Sequence, residues 1–98
     1  MSYEIERMLV VSTGHLTAIE AGSDLSVLGR STLKRPEGFL IHTRLGMERD
    51  ERIIVTQQEA KISSSARGCF QLGRALNCEW VLFDRDGPTL NQFKTYDW

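Results

Sequence analysis

The chain is predicted to be a small α/β protein, a two-layer sandwich in which a mixed sheet of four to five strands carries two helices. Three observations lead there. The apolar run Met8-Leu9-Val10-Val11 breaks into Ser12-Thr13-Gly14-His15-Leu16-Thr17, the mark of a buried strand that stops at a polar turn. A second run, Trp80-Val81-Leu82-Phe83, breaks in the same way into Asp84-Arg85-Asp86-Gly87-Pro88. Between them Ile62, Ala66, Cys69, Phe70, Gly73 and Leu76 recur at the spacing of one helix face. Strands separated by helices favour parallel pairing. Parallel terminal strands would set both polar turns on one sheet edge, where α/β proteins place their binding groups.

Each element has its own signal. The first strand is read over Ile5 to Ser12. Thr17 and Glu20 then form a capping box: the hydroxyl accepts from the amide three residues on, and the carboxylate reaches back to the Thr17 amide. Ile19, Val27 and Leu28, flanked by Leu16 and Leu25, supply an apolar face. Gly22-Ser23-Asp24 interrupts it at ~1 kcal/mol or more, leaving either one long helix or a short helix with a loop. Gly29 to Gly38, with Arg30, Lys34, Arg35 and Pro36, reads as a basic connecting loop. Phe39-Leu40-Ile41-His42-Thr43 and Arg52-Ile53-Ile54-Val55-Thr56 are rich in strand formers around a polar segment with a glycine, which predicts an antiparallel hairpin with a protruding loop. The helix from Ile62 to Leu76 opens at Ser63-Ser64 or Lys61-Ile62 and is closed by Asn77 in a left-handed conformation. Glu79 to Phe83 is the last core strand. The tail Phe93-Lys94-Thr95-Tyr96-Asp97-Trp98 alternates apolar and polar residues, as an edge strand or an aromatic strap would. Val10, Phe70 and Val81 are the expected core anchors.

Length and charge exclude several classes. With 98 residues, 41% of them apolar, the chain fills one two-layer core and falls short of two domains of the usual ~100–150 residues. Residues 1–98 are therefore expected to form a single domain. The 12 basic and 13 acidic residues leave a net charge of -1 and are spread along the chain, without the basic stripe that supplies the electrostatic part of nucleic-acid binding. Apolar runs stop far short of the ~20 residues needed to span a bilayer, so no membrane partner is expected. The opening Met-Ser-Tyr-Glu-Ile-Glu-Arg lacks the basic-then-apolar layout of a secretion signal, and the expected compartment is the cytoplasm.

The chemical signals are sparse. Cys69 and Cys78 have no second cysteine pair and no nearby histidine pair to complete a tetrahedral site, so no metal is expected and they read as buried or half-exposed thiols. A lone Gly14 lacks the glycines of a phosphate loop. Asp84-Arg85-Asp86-Gly87 is too short for a calcium loop, and no cofactor is expected. Ser12, Thr13, His15, Asp84 and Asp86 at the sheet-edge turns would make an acid–base site if the fold brought them within hydrogen-bond reach. Capping amides and building turns is the commoner work of such residues, and no catalytic residue is assigned. His42 reads as a packed or edge histidine.

The loop from Arg44 to Arg52 is the other candidate surface. Leu45 and Met47 have no periodic reason to face the core and stand among Arg44, Arg49 and Arg52, the residue types that interface anchors favour. Arg30, Lys34, Arg35, Arg44, Arg49 and Arg52 also concentrate positive charge in one third of the chain, although a solvated face is the ordinary reason for such a cluster.

The stretches Met8-Leu9-Val10-Val11-Ser12-Thr13-Gly14-His15-Leu16-Thr17 and Asn77-Cys78-Glu79-Trp80-Val81-Leu82-Phe83-Asp84-Arg85-Asp86-Gly87-Pro88, with Tyr96-Asp97-Trp98, resemble a small bacterial domain family of unknown function. Its members are found on plasmids, integrative elements and prophages. The resemblance departs between Gly22 and Ser63. It implies a mobile-element accessory protein and carries over no catalytic residues. The expected function is a non-catalytic interaction with a host or element-encoded protein, for instance inhibition of a CRISPR effector or a restriction enzyme by occupying its working surface. Two alternatives stay open: a small enzyme using His15 with Asp84 and Asp86, and a nucleic-acid-binding accessory using the arginines and lysine from Arg30 to Arg52.

Overall fold

The computed structural model describes residues 4–23, 25, 28–30 and 32–96. The expected helix residues Asp24 and Val27 and the tail residues Asp97 and Trp98 lie outside this set. Among the described residues four strands form one sheet in the order β1-β4-β3-β2: β1 (Met8–Ser12), β2 (Thr32–Arg35), β3 (Gly38–His42) and β4 (Trp80–Asp84). The terminal strands β1 and β4 pair parallel, with Ser12 opposite Asp84. The two other pairings are antiparallel, so the sheet is mixed, as predicted. Among the described residues three α-helices complete the fold, namely α1 (Ala18–Ser23), α2 (Arg49–Glu59) and α3 (Ser64–Ala75).

The local signals at the two ends hold. The capping box forms, with Glu20 N–H donating to Thr17 Oγ1 at 3.2 Å and Thr17 N–H to Glu20 Oε1 at 3.0 Å. Glycine in the middle of the expected helix gives the short form, and α1 stops at Ser23. Its Ile19 is 84% exposed, and Leu16, Leu25 and Leu28 enter the core instead. Ser63 caps α3 by accepting from Ala66 N–H, and Asn77 closes it at φ 58°. The buried side of α3, Ala66, Cys69 and Phe70, packs against Val11, Val81 and Phe83 of the sheet. Strand alternation then places Val10 with Leu40 and Leu82 on the opposite face. Val10 is half-buried, and Val11 takes the anchoring position expected of it.

The predicted hairpin is overturned. Arg52-Ile53-Ile54-Val55-Thr56 is helical, inside α2, and the partner of β3 is β2, from the stretch expected to be a basic loop. Pro36 and Glu37 join them, with Arg35 opposite Gly38, because proline presets the backbone angle of the first turn position. Gly38 is required there. A Cβ at that position would overlap the Phe83 carbonyl. On α2, Asp50 and Glu51 occupy the first turn, where the helix dipole favours negative charge. Three consecutive β-branched residues give no period-2 face, and only Val55 of the three is buried.

The tail is a strap rather than a strand. Phe93 lies against the core cluster and over Gly68, where any Cβ would strike its ring. Tyr96 N–H donates to Gly14 O at 2.8 Å, which closes the strap over the first polar turn.

Candidate functional site

Parallel pairing sets the two polar turns side by side, and their side chains are engaged in building them. Ser12 Oγ accepts from Gly14 N–H at 3.0 Å, capping a single 3-10 turn over Thr13–His15. Asp84 Oδ1 accepts from Asp86 N–H at 2.8 Å, an Asx turn. Asp86 is exposed and lies 4.0 Å from the Arg85 guanidinium. Thr13 borders a depression of about 310 Å³ with Lys34, Arg35 and Arg85. His15 is buried. Its Nε2 accepts from Leu90 N–H at 2.9 Å, so the proton sits on Nδ1, which donates to Lys94 O at 3.0 Å. Both ring nitrogens are thus bound to backbone groups of the strap, and the imidazole faces neither aspartate with a free atom.

The arginine loop is placed differently from expectation: it links β3 to α2 rather than two strands. Thr43 starts it from a fully buried position, with its hydroxyl donating to Cys78 O at 2.7 Å and accepting from Leu45 N–H at 3.2 Å. Arg44 and Gly46 adopt left-handed backbone angles, φ 64° and 82°. The Arg44 amide is caught by His42 Nδ1 at 2.9 Å. Burial lowers the pKa of His42, which favours the neutral ring that this bond needs. The Arg44 guanidinium pairs with exposed Glu51 at 3.1 Å.

These turns bring the loop residues together. Leu45, Met47 and Arg52 line an open groove of about 460 Å³ whose other walls include Val55 and Arg74. Arg49, Arg52, Ile53, Thr56 and Gln57 line an adjoining depression of about 430 Å³, and their numbers follow the period of one helix face. Arg52 and Thr56 border both, so the two form one continuous surface. Ile53 and Ile54 are each 56% exposed. Among the described residues no acidic group pairs with the Arg49 or Arg52 side chain.

A buried ion cluster lies beneath the groove. Glu59 is 2% exposed and accepts from Arg74 twice, at 2.7 and 2.8 Å, and from Arg30. Burial by itself would raise the Glu59 pKa, but the hydrogen bonds and charges of Arg74 and Arg30 outweigh it and the net shift is downward. Arg74 also donates to Thr43 O at 2.9 Å. Arg30 lies under this surface with its guanidinium 5.0 Å from the centre of the Phe70 ring and its side chain 2% exposed. It therefore cannot contact a polyanion at the surface as the nucleic-acid reading requires. Lys34 and Arg35 sit at the other end of the sheet from Arg44, Arg49 and Arg52, beside Arg85. The six basic residues do not share a face.

Sequence reasoning missed Thr43, Val55, Glu59 and Arg74. The signal available was Val55 and Glu59 one helical turn apart, legible only once α2 is seen as a helix. Burial pushes the Cys69 thiol up to about 12, which removes it as a nucleophile at neutral pH. Among the described residues no group of three or more His, Cys, Asp or Glu side chains converges to hold a metal. No helix there is long and apolar enough to cross a membrane.

Residues 8–98 match a family described as the C-terminal domain of a family of unknown function, DUF5983, and the chain belongs to that family. No curated protein matches it, and no solved structure does.

Proposed function

We propose that this domain acts by binding a protein rather than by catalysis, and that the groove between the β3–α2 loop and helix α2 is where the partner docks. The observation that carries the reading is one surface on which Leu45, Met47 and Ile53 stand beside Arg49 and Arg52, whose side chains have no acidic partner among the described residues. Apolar anchors with adjacent arginines are the composition of interface hot spots. Helix α2 also buries only Val55 and Glu59, so most of its surface is available to another molecule. The resemblance to mobile-element families suggests the setting. In it, the partner is a host or element-encoded protein, and a host-defence effector such as a CRISPR or restriction nuclease is the class whose working surface this domain would cover.

The test is affinity capture from a bacterial host with the parent domain and a Met47→Asp variant of equal melting temperature. A protein retained by the parent and lost by the variant supports the reading. A salt-dependent gel shift on duplex or single-stranded DNA, with no protein captured, would move the function to nucleic acid.

A further inference from the structure

We infer that the segment seated in this groove presents a carboxylate next to an apolar side chain, so that the partner is recognised through an acidic stretch of its chain. The inference rests on the docking reading above and names the chemistry of the partner.

Arg52 and Arg74 both line the groove, and among the described residues no acidic one does. Arg74 is held in place from below. Glu59 grips it at two points and Thr43 O at a third, while Arg30 also donates to Glu59 Oε2. A buried ion cluster of this kind is poor at stabilising a fold compared with apolar packing. Its structural result is a guanidinium fixed beneath an open groove with 18% of its side chain exposed. Two arginines share the one carboxylate of Glu59, so the cluster keeps one uncompensated positive charge, and Arg52 adds a second on the wall. Guanidinium groups bind carboxylates in a planar, two-point geometry. Leu45, Met47 and Val55 complete the groove with apolar surface, which suits a leucine- or methionine-like neighbour of that carboxylate.

A phosphate backbone is the rival anion. Glu48, Asp50 and Glu51 flank the arginines along the start of α2 and would repel a polyanion, whereas a short peptide with one or two acidic residues avoids them. Among the described residues the groove also has no aromatic side chain on which a base would stack.

The probe is a library of random twelve-residue peptides displayed on phage and panned against the folded domain, with the selected peptides then synthesised and titrated. Selected sequences should carry Asp or Glu beside Leu, Met or Phe. Changing that acidic residue to its amide should weaken binding about 10-fold or more, as should Arg52→Glu in the domain, while Lys61→Glu on the exposed connection after α2 should leave affinity unchanged. Binding should also weaken between about 0.1 and 1 M NaCl. Selection of neutral or basic peptides, or of none, overturns the inference, and so does an Arg52-dependent shift of a DNA oligonucleotide. Peptides that are neutral yet lost in Met47→Asp contradict only the acidity. Peptides that bind Met47→Asp as tightly as the parent contradict the groove and with it the docking reading.

Discussion

His15 and Glu59 show how a chemically capable side chain is put to structural use. Each bond of the His15 ring ends on a backbone group of the strap, so His15→Ala leaves buried donors and acceptors unpaired at about 1–3 kcal/mol each. The variant is expected to lose stability in urea titrations and to be cut first between Leu90 and Tyr96 in limited proteolysis. A tail that stays resistant would mean that Phe93 alone holds the strap. Glu59 yields a pH dependence. Its pKa is depressed in the folded state below its ordinary value of 4.5, so the stability it contributes is present above that value and is lost as pH falls through the folded pKa. Acid unfolding should therefore steepen below about pH 4.5, and Glu59→Gln should flatten that limb while lowering stability near neutrality by about 3–5 kcal/mol, because two arginines are left with no carboxylate. An unchanged acid limb would place the titrating group elsewhere.

Helices α2 and α3 are opposites in packing, and substitutions should report it. Phe70 is fully buried on α3, in edge contact with Phe83 at 5.8 Å, and Phe70→Ala is expected to lower stability by about 3–5 kcal/mol. Ile53→Glu on α2 should stay within about 0.5 kcal/mol of the parent in the same denaturation assay. Equal losses at the two positions would mean that α2 is as well packed as α3. The same contrast explains what the sequence made legible. Strands β1 and β4, the capping box and α3 were readable because their signals are local: an unbroken apolar run, a Thr-x-x-Glu spacing, a 3.6-residue repeat. Helix α2 was not, because Ile53-Ile54-Val55 imitates a strand when composition is read without asking which residues a sheet would bury. Strand β2 was hidden for the converse reason. Its Leu33, Lys34 and Arg35 are exposed on a sheet edge and carry the composition of a loop. Once α2 is a helix, Leu45, Met47 and Arg52 converge on one groove, but Arg74 joins them only through a fold-level contact with no trace in local pattern.

Across the molecule, the two candidate surfaces lie at opposite ends of the sheet and differ in what their side chains are free to do. The turn end uses Ser12, His15 and Asp84 to hold its own backbone. The groove end leaves apolar side chains and arginines facing solvent around a guanidinium fixed from beneath. The division follows from topology, since parallel pairing of β1 and β4 gathers the polar turns on one edge and sends the β3–α2 loop to the other. The measurement that tests the binding account most directly is partner affinity of Met47→Asp against the parent, with thermal unfolding measured on both. The account predicts a melting temperature nearly unchanged and an affinity reduced 10-fold or more, a loss of about 1.4 kcal/mol or greater. Unchanged affinity in a stably folded Met47→Asp protein would contradict it and turn attention to the surface between Thr13, Lys34 and Arg85.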